Sequence, residues 1–164
     1  MIERLKEIIS GLIKANVYVS FATNSVAIMP DIEKSKAPWR IWIDPPWRFL
    51  ENKKPIMSAI DCPMHGDFHS ETEYKSAFIN WCKRIGNPSK RIKKSFINED
   101  PIDLIIEFED GTEIQVFVSE PTEESWYYCD RVNSKYLVVS GCGIKEETDE
   151  SEQSLPADAR TSRG

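Results

Sequence analysis

The chain has 164 residues, of which 40% are hydrophobic and 29% are charged, and its net charge is −6. This composition excludes a largely disordered chain, and the length favours one domain over two marginal ones. No apolar run is long enough to cross a bilayer, and charges interrupt the apolar residues near the N-terminus. We therefore expect no membrane contact and a cytoplasmic location, where the four cysteines are thiols rather than disulfides.

The first part of the chain changes from a helical to a strand-like pattern. Apolar residues at helical spacing predict an amphipathic helix that ends near Gly11. From Val17 the apolar spacing becomes two, and Asn24-Ser25 supplies a turn, so this region predicts a hairpin. The segment WRIWID predicts a strand that stops at two prolines, and residues 56–60 predict another short strand.

The second part contains one helix followed by β-rich segments. Ser70 and Glu73 have the spacing of a capping box, and the apolar stripe after them predicts a helix over about residues 71–85. Five segments rich in β-branched and aromatic residues come next. The Asp110-Gly111 pair between two of them predicts a tight hairpin.

These elements together predict an α+β fold, with a mainly antiparallel sheet of hairpins and a meander packed against one or two helices. We assign residues 1–144 to this single domain. Residues 145–164 contain no aromatic residue and only one large apolar residue, Leu155. They are predicted to form a disordered acidic and polar tail.

A weak internal repeat is present between the two parts. Four aromatic or aliphatic residues of the first part align with four of the second part at one constant offset. The first four are Val17, Val19, Phe21 and Trp39, and their counterparts are Leu104, Ile106, Phe108 and Trp126. A duplication would explain the offset, but any two alternating strands also match at their apolar positions, so chance similarity is the first interpretation and a duplication is the alternative.

The stretch CPMHGDFH brings cysteine and histidine close together in sequence. With Cys82, the residues Cys62, His65 and His69 could supply the four ligands of a tetrahedral zinc site. The second ligand pair is not tightly spaced, however, and Cys82 lies on the apolar stripe of the predicted helix. A turn shaped by proline and glycine, with solvated imidazoles, is therefore the first interpretation, and a zinc-stabilised or metal-dependent protein is the alternative.

No catalytic motif is evident. A Cys–His hydrolase could combine Cys62 or Cys82 with His65 or His69, but no third orienting group can be identified. The run SGCGI lacks the lysine and the following helix of a phosphate-binding loop. We therefore predict a protein that is not an enzyme and has no resident cofactor.

Charge is distributed very unevenly along the chain. A basic block begins at the end of the second predicted helix and consists of Lys83, Arg84, Lys90, Arg91, Lys93 and Lys94. From Ser95 to Asp130 the chain then has many carboxylates and no lysine or arginine. Because nucleic-acid binding normally requires a net positive charge, the value of −6 argues against it.

The acidic region has the composition of a protein-binding surface, in which carboxylates attract a basic partner and aromatic rings anchor it. The alternative is that the carboxylates only keep the strands soluble. The residues predicted to bind the partner are Asp110, Glu113, Glu120, Glu123, Glu124, Trp126 and Tyr128. A third interpretation is an accessory subunit of a larger bacterial assembly, and the oligomeric state is left open.

Three motifs carry a resemblance to a group of proteins. WRIWIDPPWRF, the pair DLIIEFEDGTEIQVF, and ESWYY resemble segments of small uncharacterised bacterial single-domain proteins. Some of these are encoded beside polymorphic toxins and are candidate immunity proteins. The resemblance covers about residues 38–140, and it implies a single-domain, non-enzymatic binder. Together with the acidic region, this predicts an immunity protein that occludes a basic toxin.

Overall fold

The structure, a computed structural model, describes residues 1–149. Over this range it has two α-helices, α1 (Ile2–Ser10) and α2 (Glu71–Cys82), and one antiparallel sheet of eleven strands. The fold is therefore α+β and dominated by the sheet. The strands are β1 (Asn16–Ala22), β2 (Ser25–Pro30), β3 (Trp39–Ile43), β4 (Trp47–Glu51), β5 (Lys54–Ser58), β6 (Ser89–Ile97), β7 (Leu104–Phe108), β8 (Thr112–Val116), β9 (Trp126–Asp130), β10 (Lys135–Ser140) and β11 (Gly143–Thr148).

The strands are hydrogen-bonded in the order β11-β10-β9-β3-β2-β1-β6-β7-β8-β4-β5. The meander predicted for the second part is therefore wrong beyond β8, because β8 pairs with β4 and β9 pairs with β3. The connection between β8 and β9 crosses to the other end of the sheet. At its start the amide of Phe117 donates to the carbonyl of Pro46, 3.0 Å away, which places it beside the beginning of β4.

The strand order has a pseudo-two-fold axis at the central β1–β6 pair. Moving outward, β1, β2 and β3 on one side correspond to β6, β7 and β8 on the other. The next two strands on each side are a hairpin from the opposite half, β9–β10 beside β3 and β4–β5 beside β8. Each half is thus a helix followed by five strands, and the halves exchange their last hairpins. We call residues 1–58 the first half and residues 71–140 the second half.

Two buried tryptophans occupy equivalent positions under this axis. Trp47 begins β4, is 2% exposed and donates from Nε1 to the carbonyl of Asn24, 2.8 Å away in the β1–β2 turn. Trp126 begins β9, is 0% exposed and donates from Nε1 to the carbonyl of Ile102, 3.0 Å away before β7. The topology thus supports a repeat, but the alignment predicted from the sequence is wrong. In the structure β1 corresponds to β6 rather than to β7, and Trp126 corresponds to Trp47 rather than to Trp39.

The two helices also correspond, and they bury different side chains. On α1 and just beyond it, Leu5, Ile9 and Leu12 are buried. The equivalent residues at one constant offset are Phe78, Cys82 and Ile85 on α2 and the 3-10 turn Lys83–Ile85. Phe78 and Cys82 are only partly buried. One apolar cluster nevertheless includes residues from both halves and both helices.

Several local predictions are confirmed. The first helix ends at Ser10 before Gly11, and a hairpin follows, with its turn one residue earlier than predicted. At the start of α2, the Ser70 hydroxyl accepts from the amide of Glu73 over 3.2 Å. The Glu73 carboxylate accepts from the amide of His69, one residue before the donor that the capping box predicts.

Two local predictions need correction. The strand β4 was not expected after the two prolines, yet Trp47 and Phe49 alternate inward along it and are buried. The predicted tail begins too early, because Lys145 to Thr148 form most of β11, which pairs with β10 and covers its edge. The remainder of the predicted tail, residues 150–164, lies outside the described residues.

Candidate functional site

The first two predicted partner-binding carboxylates are occupied by ion pairs. Asp110, in the β7–β8 turn, accepts from the ammonium of Lys90 over 2.5 Å and from the Thr112 hydroxyl over 2.6 Å. Burial alone would raise the pKa of Asp110, but these hydrogen bonds lower it below its ordinary value. Glu113 is only 5% exposed and pairs with Lys53 over 2.8 Å. Neither residue has a free carboxylate to offer a partner.

The aromatic residues predicted as anchors point toward the helix-covered face. Trp126 has no exposed surface, so it does not fit the role of a contact residue and belongs to the core. Tyr128 is partly buried and its ring stacks on Trp39 with 6.3 Å between centroids. Alternation along β9 places both on one face, whereas Tyr127 points to the other.

The three remaining carboxylates, Glu120, Glu123 and Glu124, are exposed on one segment. This segment, residues 119–124 of the β8–β9 connection, is called the acidic loop below. Its backbone is held at both ends. Val118 donates to the Asp103 carboxylate over 2.8 Å, and Ser125 donates to the carbonyl of Val139 over 2.8 Å.

A close approach of two turns holds the middle of the acidic loop. The amide of Gly141, in the β10–β11 turn, donates to the carbonyl of Glu120 over 3.0 Å. A Cβ atom at Gly141 would lie 2.6 Å from that carbonyl oxygen and 2.8 Å from Cα of Pro121. Only glycine allows this contact, so the residue at 141 fixes where the loop carboxylates lie.

A cleft of about 330 Å³ adjoins the acidic loop. Tyr127 and Tyr136 form its aromatic corner, with 5.5 Å between their ring centroids in an edge-to-face arrangement. Glu124 and Glu147 also line the cleft. We call this feature the tyrosine cleft.

Negative charge is concentrated where the loop meets the cleft. The pKa of Glu124 is raised above its ordinary value by burial, and then by the nearby carboxylates of Asp44 and Glu147. Burial also raises the pKa of Tyr136 to about 12, so its hydroxyl stays protonated. Two cations partly offset this cluster, since Lys145 pairs with Glu147 over 2.9 Å and Arg40 donates to the Tyr127 hydroxyl over 3.2 Å. A cation entering the cleft would relieve the repulsion among the carboxylates.

The basic block is divided between a core position and the surface. Lys90 is buried, and besides Asp110 it donates to the carbonyl of Ile85 over 2.7 Å. Arg84 pairs with Asp61 over 2.9 Å, and Arg91 pairs with Glu109 over 3.6 Å. Part of this block is therefore structural.

The four residues of the zinc alternative are only partly brought together, since Cys62 and His65 line one pocket and Cys62 contributes to the raised pKa of Cys82. Cys62 is buried, whereas His69 is exposed. The ring of His65 stacks on Tyr74 with 3.6 Å between centroids. Burial raises the pKa of Cys82 to about 11. Within residues 1–149, no group of three or more histidine, cysteine, aspartate or glutamate side chains is arranged to hold a metal ion.

The sequence points to the three carboxylates of the acidic loop but not to the loop itself or to the tyrosine cleft. Of the aromatic residues in β9 it favours Trp126 and Tyr128 over Tyr127, and it gives no sign of Tyr136 and Glu147. The alternation in WYYCD was the available signal, because a buried Trp126 implies that Tyr127 faces the other way. Glu147 could not be found in this way, since it lies in the segment predicted to be disordered.

Comparisons with known proteins give no match to a protein-family model, to a curated protein or to a solved structure. Among the helices of residues 1–149, neither is long and apolar enough to cross a membrane.

Proposed function

We propose that this protein is a non-enzymatic binding domain that holds a basic protein partner against the acidic loop and the tyrosine cleft. The observation that carries the proposal is the anchored loop, which presents Glu120, Glu123 and Glu124 beside further carboxylates. A rigid loop loses little conformational entropy when it binds. The partner therefore meets several carboxylates at one place, and the loop that carries them does not have to become ordered on binding.

We expect a lysine or arginine side chain of the partner to enter the tyrosine cleft. Tyrosine rings attract such cations through their π-faces, and carboxylates at the rim add hydrogen bonds. Tyr127 and Tyr136 are partly buried, so their rings are held in place rather than free to rotate. Partly desolvated aromatic residues of this kind are frequent anchors of protein interfaces.

The partner we propose is a basic toxin, which the domain inhibits by covering its surface in the cytoplasm. The resemblance to candidate immunity proteins motivates this choice, and the acidic loop gives it a physical basis. All four cysteines are free thiols, in keeping with a reducing compartment. Long-range attraction between the loop and the partner should increase the rate of association.

The test uses a fluorescent octalysine peptide and the full chain. Reversal of two loop charges, Glu123→Lys with Glu124→Lys, should weaken binding at least about tenfold, because it removes two attractions and adds two repulsions. The matched control reverses two exposed carboxylates elsewhere, Asp31→Lys with Glu33→Lys. It changes the net charge equally and should have a much smaller effect. Equal losses in both variants would mean that the peptide responds only to net charge and would refute the site.

A further inference from the structure

The helix-covered side contains a groove that the proposed function does not use. It lies between α2 and β1, has a volume of about 280 Å³ and is lined mainly by apolar groups. Phe78, Ile79 and Cys82 form one wall, and β1 from Tyr18 to Phe21 forms the other. The side chain of Ile79 is 53% exposed at the rim. The apolar core is thus not fully covered between α2 and β1.

The equivalent place in the other half is closed. There α1 packs on β6, with Leu5 and Ile9 fully buried. The hydroxyl of Ser95 on β6 donates to the carbonyl of Ile9 over 2.5 Å, which ties the helix to the strand. At the position equivalent to Ile9, α2 has Cys82, whose side chain is smaller. The smaller side chain of Cys82 leaves space in the wall of the groove at this position.

A free strand edge lies at the bottom of the groove. The strand β6 pairs with β1 only at residues 16–18, and the last bond joins the amide of Val19 to the carbonyl of Pro88 over 2.9 Å. Within residues 1–149, β1 has no other neighbour on this side. Because successive residues of a strand alternate in direction, the amide and carbonyl of Phe21 point the same way as the amide of Val19. They face the groove without a strand partner.

The charge at the rim of the groove indicates which kind of partner can bind there. Lys83 lines the groove and is exposed. No carboxylate of residues 1–149 pairs with its ammonium group. A partner that carries a carboxylate next to its apolar contact would supply that counter-charge.

We propose that this groove binds an extended segment of a second protein, which adds a short strand to the free edge of β1. An aliphatic side chain of the segment fills the space beside Cys82, and an adjacent acidic residue pairs with Lys83. Strand addition of this kind takes its affinity from main-chain hydrogen bonds and its specificity from pockets for alternate side chains. The site is separate from the acidic loop and takes a partner segment of opposite charge.

The test measures binding of a fluorescently labelled peptide, TEVLVT, to the full chain. Cys82→Ile should weaken binding at least about tenfold, because the isoleucine occupies the space for the leucine. Cys142→Ile makes the same change at an exposed cysteine in the β10–β11 turn and should have no effect. Among charge variants of the chain, Lys83→Glu should weaken binding of TEVLVT and Lys54→Glu should not. Among peptides, TEVAVT and TKVLVT should bind the wild-type chain less tightly than TEVLVT does.

Three results would overturn the proposal. They are an absence of binding to the wild-type chain, equal binding to the Cys82→Ile chain, and equal binding of TEVAVT. Sedimentation of the chain alone provides a further check. A wild-type dimer that Cys82→Ile converts to a monomer would identify a second copy as the occupant and would refute a separate partner. Glu123→Lys with Glu124→Lys should leave peptide binding unchanged, so this test is independent of the acidic loop.

Discussion

The two halves of the molecule share a topology but use it differently. In both, a tryptophan at the start of the exchanged hairpin donates to a backbone carbonyl of its own half, in the connection between the first two strands of that half. In both, the end of the third strand is tied to the start of the hairpin from the other half, since the amide of Asp44 donates to the carbonyl of Ser125 and the amide of Phe117 donates to that of Pro46. The internal contacts are therefore equivalent, and the differences lie in the connections and on the surface.

The differences concern two places. The connection from β3 to β4 is short, whereas the corresponding connection from β8 to β9 contains the acidic loop. The helix of the first half closes its part of the core, whereas α2 leaves a groove beside Cys82. A repeated framework can therefore keep its buried contacts while single substitutions and longer connections give its two halves different surfaces.

The largest expected effect tests the equivalence of the two tryptophans. Trp47→Phe and Trp126→Phe should each lower the free energy of unfolding by about 2–3 kcal/mol, because each loses a buried hydrogen bond and leaves a small cavity. Urea denaturation measures this. Trp39→Phe, at a partly buried site, should cost less than about 1 kcal/mol.

Clearly unequal losses in the free energy of unfolding at Trp47 and Trp126 would contradict the structural equivalence of the two halves. If Trp126→Phe instead kept full stability and weakened partner binding, the residue would be an interface anchor and its buried position would be contradicted.

The next effect tests the difference between the short β3–β4 connection and the long β8–β9 connection. Gly141→Ala should lower the free energy of unfolding by about 1–3 kcal/mol, because its Cβ atom meets backbone rather than a flexible side chain. It should also displace the acidic loop and weaken octalysine binding. Gly66→Ala is the control, since nothing lies within 4 Å of the added Cβ atom.

If the Gly141→Ala chain is clearly destabilised but keeps its affinity for octalysine, binding does not depend on the position of the acidic loop. In that case, the contact between the two turns would be a packing feature alone.

A smaller pair of effects tests the difference between the helices. Ile9→Cys should lower the free energy of unfolding by about 2 kcal/mol, because it opens a cavity at a fully buried position. Cys82→Ile should raise it by about 1 kcal/mol, because it buries added apolar groups in the groove. Thermal or urea unfolding of the two variants gives both values. A loss of stability in both would mean that the groove cannot accept an isoleucine and that the helices are not equivalent.

The smallest effect concerns the pH dependence of stability. The folded state raises the pKa of Glu124, so its ionised form costs stability above that pKa, and the cost disappears below the ordinary value of 4.5. Glu124→Gln should therefore be slightly more stable than wild type near neutral pH, by less than about 0.5 kcal/mol because the site is exposed. The difference should vanish in acid. Asp110 has the opposite sign, since its pKa is lowered and its stabilisation is lost as the pH falls.

Urea denaturation of Glu124→Gln and wild type at several pH values measures this effect. Glu123→Gln, on the same loop, is the control and should differ less. A Glu124→Gln chain that is less stable than wild type at neutral pH would show that Glu124 is stabilised in the fold, contrary to the charge cluster described above.

Local chemistry made part of the fold predictable. The cap at Ser70 and the turn at Asp110-Gly111 depend on residues close in sequence, and both are present. The exchange of hairpins was not predictable, because it depends on pairing between strands far apart in the chain. The two prolines after β3 predict the end of a strand, but they do not predict that β4 begins directly after them.

The candidate site was predictable only in its exposed part. Sequence indicates that Glu120, Glu123 and Glu124 are acidic and lie in a connection. It does not indicate that Glu113 pairs with Lys53, because that contact joins strands from different halves. Adjacent residues of a strand point to opposite faces, and the sequence alone does not show which face is buried. For this reason it indicates Trp126, which is buried, instead of Tyr127, which lines the cleft.

The most direct test of the account is a titration of isotopically labelled full chain with octalysine, followed by nuclear magnetic resonance of backbone amides. If the second half holds the binding surface, the shifts should be concentrated in the acidic loop and at Tyr127, Tyr136 and Glu147. The segment 31–38 of the first half, which also carries exposed carboxylates, should change little. Equal shifts in both halves, or shifts confined to the first half, would contradict the claim that the acidic loop is the site for a basic partner.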